Sequence, residues 1–277
     1  MPKVTIGMPL YNGALLLREG LTSLERQTYD DFEVLICENG STDDSRAIAA
    51  EFVARDRRFR LAALDVTIPG WQNFERCLTL SDSPYFAWRA YDDYAAETFI
   101  EVLAKGLDSH PDAHLAACEA RTLNVGSGRE RIYQTTQLAA DPATGRRQLL
   151  NTVRAQWFYG LYRREAVAKV MKQTRSEYPH WWADDHLVLY PFLISPKVWL
   201  TNQTWFLQRT GFSRGQTPAP PAMERQLFRD YMRFCARRID EATLPLTERL
   251  YLKARLPLDA HRHAYRMTRL LRRAITG

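Results

Sequence analysis

Four pairs of adjacent aspartates occur in this 277-residue chain: Asp30-Asp31, Asp43-Asp44, Asp92-Asp93 and Asp184-Asp185. Two neighbouring carboxylates can share a hard cation such as Mg²⁺ or Mn²⁺ and leave coordination places for a diphosphate. The same pair in a solvated turn or a helix cap does no chemistry. Position separates the two cases. Asp92-Asp93 closes the run Tyr85-Phe86-Ala87-Trp88, which reads as a central strand continuing to Ala90. Asp184-Asp185 follows Trp181-Trp182-Ala183 and opens a helix-like segment. It is either a helix cap or a carboxylate able to take a proton. Two further polar clusters, Pro9-Leu10-Tyr11-Asn12 and Glu38-Asn39-Gly40-Ser41, each follow a short apolar run.

The elements that must hold these residues alternate. Val4–Met8 is apolar and partly β-branched and reads as a buried strand ending at Pro9. Leu17, Leu21 and Leu24 then mark one face of a helix. Phe32–Cys37 is a second buried strand, followed by a helix turning Ile48, Phe52 and Val53 inward. Phe59–Leu64 is a third strand. Phe74, Cys77 and Leu78 mark a helix after Pro69-Gly70, and Phe99, Leu103 and Leu107 another, closed by His110-Pro111. Leu115–Cys118 is a further strand. Such alternation predicts an α/β fold with a mostly parallel central sheet flanked by helices. Ligands of such sheets bind beyond the carboxyl ends of the strands, where all three N-terminal polar clusters fall. Later, Arg121–Gln134 reads as a hairpin around Gly126-Ser127-Gly128, and Trp157–Tyr162 as an aromatic strand. Tyr178–His186 reads as a Trp-rich loop entering a helix, and Pro218–Pro221 as a linker to a basic helical extension.

Several motifs in order give the N-terminal part a recognisable character. Pro9-Leu10-Tyr11-Asn12, Ser23-Leu24 with Gln27-Thr28, Phe32-Glu33-Val34 leading to Asn39-Gly40-Ser41-Thr42-Asp43, Asn73, Asp92-Asp93 and His110-Pro111 follow one another over about the first 120 residues. This series resembles the opening of the family-2 glycosyltransferases, which have the GT-A fold. The resemblance implies an inverting transfer from a nucleotide-diphosphate sugar to an acceptor hydroxyl, serving polysaccharide or glycoconjugate synthesis. It implies a donor site of Pro9, Tyr11, Asn12, Glu38, Asn39, Asn73, Asp92 and Arg209. Asp92 and Asp93 would be the metal motif for Mn or Mg, with Asp93 favoured for the metal itself. The family usually has Asp where Glu38 stands, and its acidic motif often has a further carboxylate where Tyr91 stands.

An inverting transfer also needs a base for the acceptor hydroxyl, apart from the metal pair. The resemblance assigns that part to Asp185, with Asp184 beside the acceptor. Trp181 and Trp182 read either as an apolar platform for an acceptor sugar or as core. Arg209, in Gln208-Arg209-Thr210-Gly211-Phe212-Ser213, reads either as a bidentate diphosphate ligand or as a surface arginine. The predicted organisation is a glycosyltransferase domain over 1–217, donor half 1–120 and acceptor half 121–217, then a basic extension over 218–277.

Composition narrows the field further. The net charge of +6 arises largely from the segment Arg225 to Arg273, so it describes that extension rather than the whole surface. Charge alone suggests nucleic acid, and no basic-aromatic motif supports it, so no nucleic-acid partner is expected. The extension either packs on the domain or meets an anionic membrane, where a lipid-linked acceptor would be found. The four cysteines form no C-x-x-C pair, and no apolar run reaches the length of a membrane span. The expected location is therefore cytoplasmic, with membrane contact confined to the inner surface. His261-Arg262-His263 has no carboxylate or Cys cluster around it and reads as an exposed helix face. A dehydrogenase is disfavoured because no G-x-G-x-x-G follows the first strand. The competing readings are a non-catalytic nucleotide-sugar-binding module and, below it, a sugar nucleotidyltransferase, for which a Gly-rich phosphate loop is missing.

Overall fold

The structure, a computed structural model, describes residues 1–178, 180, 182–211 and 221–263. Trp181, residues 212–213 of the motif around Arg209 and Pro218–Pro220 of the linker lie outside the described residues. The chain divides into two compact units. One comprises Met1–Gln137, Tyr159–Ala168 and Lys197–Phe212; the other comprises Leu138–Phe158, Lys169–Pro196 and Ser213–Gly277.

The first unit contains every strand of the described chain. In order they are β1 (Val4–Leu10), β2 (Phe32–Asn39), β3 (Phe59–Leu64), β4 (Tyr85–Trp88), β5 (Tyr94–Ala95), β6 (Leu115–Asn124), β7 (Arg129–Tyr133), β8 (Leu161–Arg163) and β9 (Val198–Thr210). The sheet order is β3-β2-β1-β4-β8-β6-β9-β5, with β7 paired to β6. Its helices are α1 (Ala14–Glu25), α2 (Ser45–Arg55), α3 (Gly70–Thr79) and α4 (Phe99–Ser109). β3, β2, β1 and β4 run parallel, with Ile6 opposite Val34 on one side and Ala87 on the other. Beyond β4 the sheet is mixed. β8 is antiparallel to β4 and β6, β7 to β6 and β5 to β9, while β6 and β9 are parallel. The β6–β7 hairpin reverses the chain without a crossover, so that part cannot be parallel.

β1 is buried along its whole length. It runs past Pro9 to Leu10, one residue beyond the predicted end. Its pairing with β4 stops at Gly7 opposite Trp88, so from there the strand has one neighbour and tolerates a proline. Leu17, Leu21 and Leu24 of α1, Phe52 of α2 and Leu103 and Leu107 of α4 pack against Ile6, Val34 and Ala87 in one apolar core. The fully buried Trp88 meets Phe86 and Tyr162 edge-on at 4.8 and 6.0 Å. Two predicted strands change. β4 stops at Trp88 rather than Ala90, and the aromatic run Ala155–Tyr159 is a 3₁₀ turn leading into the short β8.

The second unit is helical: α5 (Pro142–Thr152), most of α6 (Arg164–Glu177), α7 (Asp184–Ile194), α8 (Pro221–Glu241) and α9 (Leu246–His263). α5 starts conventionally, with Asp141 accepting the Thr144 N–H and Pro142 at the first position. Arginines of the basic extension are used inside this unit. Arg238 pairs with Glu177 at 2.7 Å, and Arg255 with the fully buried Asp259 at 2.7 Å. Glu248 of α9 receives both Arg146 and Arg147 of α5, at 2.7 and 2.8 Å. The described part of the extension therefore packs on the neighbouring helices. Two exposed rows remain. Arg225, Arg229, Arg233 and Arg237 recur every fourth residue along α8. Leu246, Leu250 and Leu258 stand out from α9, at 71%, 60% and 46% exposure. Among the described residues, no helix is long and apolar enough to cross a membrane.

Candidate functional site

The strand order places a reversal between β1 and β4. The chain moves outward from β1 through β2 to β3, then returns to the other side of β1 as β4. Such a switch point opens a crevice at the carboxyl ends of the two strands. Pro9 and Leu10 end β1 there, Tyr11 and Asn12 leave it, and Arg89 to Asp93 leave β4.

Asn12 adopts a left-handed backbone, φ 46°, which an asparagine tolerates better than most residues. Its Oδ1 accepts the Thr42 N–H at 2.8 Å, and its own N–H donates to Ser41 Oγ at 3.1 Å. Gly13 and Ala14 N–H groups donate to Ser45 Oγ and Asp43 Oδ2, at 2.8 and 3.0 Å. The turn after β1 is thus stitched to the turn after β2. Tyr11, between them, is 45% exposed.

Glu38, Asn39 and Asn73 are buried and already bonded. Glu38 accepts the Ser41 N–H and, at 2.9 Å, Arg46 Nε. Burial raises its pKa, but the Ser41 hydrogen bonds and the Arg46 cation outweigh this and hold the carboxyl below its ordinary value. Asn39 uses both ends of its amide on Ile68, donating to its carbonyl and accepting its N–H at 2.8 and 2.9 Å. Asn73 donates to the Cys37 carbonyl at 2.7 Å. These three side chains fix the β2 exit and the segment after β3.

Asp92 and Asp93 are almost wholly buried, at 2% and 1% exposure. β9 brings Arg209 onto them. The Arg209 N–H donates to Asp93 Oδ1 at 2.8 Å, its Nε donates to the Asp92 carbonyl, and its Nη1 meets Glu19 of α1 at 2.6 Å. Gly20 makes room for this turn. A Cβ there would run into the Tyr91 carbonyl oxygen.

One charged residue of this cluster escaped the sequence reading. Arg89 is fully buried, with its guanidinium carbon 4.7 Å from the Phe99 ring and 4.9 Å from that of Phe206. Burial lowers its pKa to about 10, with the Asp93 charge opposing the fall. The available signal was a lone basic residue inside an otherwise apolar and aromatic run.

The residues assigned to the acceptor side belong to the helical unit. Ala183, with φ 57°, caps α7, and Asp184 and Asp185 occupy its first turn. Asp184 pairs with Arg175. Asp185 Oδ1 accepts the His186 N–H at 2.8 Å. Burial, reinforced by the neighbouring Asp184, pushes the Asp185 carboxyl up to about 6. A carboxylate with that pKa is ionised at neutral pH and more basic than an exposed aspartate. Trp182 is 40% exposed.

Asp92 and Asp93 are a fit for a divalent cation in one respect and a limited one in another. Among the described residues, no group of three or more His, Cys, Asp or Glu side chains gathers as a closed metal cage. Mg²⁺ at phosphate-transfer sites takes one or two protein carboxylates and fills its shell from water and substrate oxygens, a requirement this pair meets.

The family "Glycosyl transferase family 2" matches residues 5–171, more than half of the chain. This protein belongs to glycosyltransferase family 2. Among relatives of this glycosyltransferase, the Streptococcus pneumoniae glycosyltransferase GlyG is 21% identical over 217 residues, covering 74% of this chain and 70% of GlyG. Among solved structures, S. aureus TarS in complex with UDP-GlcNAc superposes with a TM-score of 0.71 at 17% identity, covering 94% of this chain and 72% of that one. The Pyrobaculum calidifontis mannosyltransferase PcManGT, in complex with GDP-Man and Mn²⁺, gives 0.59 at 15% identity, covering 92% and 70%. At these identities the structural likeness establishes a shared GT-A fold with a central sheet flanked by helices.

Proposed function

We propose that this glycosyltransferase binds a nucleotide-diphosphate sugar over the β1/β4 crevice and transfers the sugar, with inversion, to a saccharide or lipid-linked hydroxyl in polysaccharide or glycoconjugate synthesis. The carrying observation is the Arg209 clasp on Asp92 and Asp93, which joins positions more than a hundred residues apart at the switch point. TarS and PcManGT, similar in fold, were solved with UDP-GlcNAc and with GDP-Man and Mn²⁺. Both support the donor class, and PcManGT supports the metal.

Pro9, Tyr11 and Asn12 offer the base and ribose their contacts, while Glu38, Asn39 and Asn73 keep the walls in shape. Asp92 and Asp93 would hold Mn²⁺ or Mg²⁺, which neutralises charge on the leaving diphosphate. Arg209 adds a second positive charge beside that group. Asp185 is assigned as base on the strength of its own surroundings. It takes the proton of the acceptor hydroxyl as the oxygen attacks C1, and the bond from C1 to the diphosphate oxygen breaks with its electron pair leaving on the diphosphate. Trp181 and Trp182 supply an apolar platform to the acceptor, and Asp184 holds Arg175. The Arg row of α8 and the Leu row of α9 suit an anionic membrane surface, where lipid-linked acceptors reside.

The test is a screen of UDP-, GDP- and dTDP-sugars with Mn²⁺, reading nucleotide release, in the wild type, Asp93→Asn and Asp185→Asn. Both variants should lose turnover, and Asp185→Asn should keep donor binding. If no nucleotide or nucleotide sugar binds, with or without metal, the donor reading is wrong. Near wild-type transfer by Asp185→Asn would remove that residue from the mechanism.

A further inference from the structure

A cavity of about 730 Å³ opens in the sheet unit between α1, the segment from β5 to the start of α4, and β9. That volume lies within the span of about 300–1,000 Å³ typical of ligand clefts. Its walls are fixed rather than loosely apposed. Ser23 Oγ of α1 accepts the Ala95 N–H at 3.2 Å. Gln27 donates to the Ala96 carbonyl and accepts the Ile100 N–H, at 2.9 and 3.0 Å. These bonds clamp the two walls at set positions with the space between them open, so a ligand has little ordering cost to meet.

Tyr94 and Trp205 give the cavity an aromatic lining. Their rings meet edge to face at 6.2 Å, and each is held by a cation from its own unit, Arg209 at 5.2 Å and Arg121 at 4.6 Å. The rim carries both charge signs. Arg18 and Glu19 are engaged, with Glu51 at 2.7 Å and Arg209 at 2.6 Å. Arg26 and Glu97 are exposed, and their side chains have no hydrogen bond or ion pair among the described residues. One free guanidinium and one free carboxylate cancel in net charge. A phosphate or nucleic-acid ligand would meet repulsion from Glu97, and a wholly apolar ligand would gain nothing from either group. A neutral polyol satisfies all of them. Its C–H face lies on an aromatic ring, and its hydroxyls both donate and accept.

We propose that this cavity is a second saccharide-binding site, holding a neutral stretch of glycan remote from the sugar that reacts. The proposal rests on the reading that the acceptor or product is a glycan. Glu19 links the cavity wall to Arg209 and so to Asp93, which places the site on the same rigid unit as the acidic pair. A glycan anchored there stays near the donor between turnovers, through effective concentration rather than tighter contact at the reacting end.

The experiment measures binding of neutral hexasaccharides (cellohexaose, maltohexaose, chitohexaose, xylohexaose) and of anionic hyaluronan hexasaccharide. The readouts are saturation-transfer NMR and tryptophan fluorescence, on the wild type, Arg26→Ala and Glu97→Ala. Both substitutions are at exposed positions, so the fold is kept, and Trp205→Ala is added with its melting temperature checked. At least one neutral hexasaccharide should bind the wild type, and each rim variant should weaken it by about tenfold while nucleotide-sugar binding stays unchanged. Failure of every neutral probe on the wild type, unaltered affinity in the rim variants, or a preference for hyaluronan overturns the proposal. Neutral hexasaccharide binding in a protein that takes no nucleotide sugar would keep this site and sink the donor reading instead.

Discussion

Arg209 makes three directed contacts with one guanidinium and one backbone N–H, so its geometry matters as much as its charge. Arg209→Lys should keep the charge, lose the fork and lower kcat/KM by about tenfold or more; steady-state kinetics with the identified donor would show it. Asp185 carries a pH signature. Its folded pKa of about 6 stands above the ordinary 3.8, so the stability it lends is fully present below that ordinary value and is lost as pH rises through about 6. With Asp185 in its proposed role as base, activity should rise through pH 6 to a plateau. Asp185→Asn should abolish that limb and, at neutral pH, match or exceed the wild type in stability by roughly 1–3 kcal/mol in urea unfolding. Arg89 sits the other way. Holding it charged at neutral pH costs the fold on the order of 3 kcal/mol, from its fall to about 10. Arg89→Met should raise the urea midpoint. Of the site, the acidic pair was legible because a strand-like run leads to it, and Arg209 because it sits in a recognisable motif. Arg89 was not, since a lone cation in an apolar run carries no spacing, and its meaning arises only when Phe99 and Phe206 close over it.

Among the elements, α1 and the turn after β4 have the tightest fit. Gly20 leaves no room for a Cβ before the Tyr91 carbonyl, and this turn carries the acidic pair. Gly20→Ala should cost about 1–3 kcal/mol, as overpacking does, and reduce donor binding by shifting Asp92. Thermal unfolding paired with nucleotide titration reads both. The elements read correctly from sequence include β1 and β2, buried along almost their whole length, helices α1, α2, α3 and α4, each with a buried face, and the β6–β7 hairpin, marked by its glycines. β9 was missed. Its thirteen residues alternate unevenly between buried and exposed, and its pairing with β6 slips at Cys118/Glu119, so no clean period of two survives. The run Ala155–Tyr159 misled for a related reason. Aromatic residues favour strands by fitting a half-buried surface, and a 3₁₀ turn burying Trp157 and Phe158 satisfies the same preference.

For the whole molecule, the exposed arginine row of α8 implies a cost. Like charges four apart on a helix repel, and three such steps run from Arg225 to Arg237, eased at Arg233 by Asp230 and at Arg237 by Glu177, each at 3.2 Å. An anionic bilayer offsets this at about 1 kcal/mol per residue near the surface. Vesicles containing phosphatidylglycerol should sediment the protein at low salt. Replacing the four arginines with Gln should release it, and sedimentation equal to wild type would exclude the row as the contact. The chain's route through its two units bears on how it is made. The sheet is assembled from three separated segments, and β9 is the last of them. A chain emerging from the ribosome therefore exposes Asp92 and Asp93 long before Arg209 exists to meet them. The acidic turn can set only after some 116 further residues have been synthesised. Nascent chains halted before β9 should be protease-sensitive around Tyr91, and those released after it resistant.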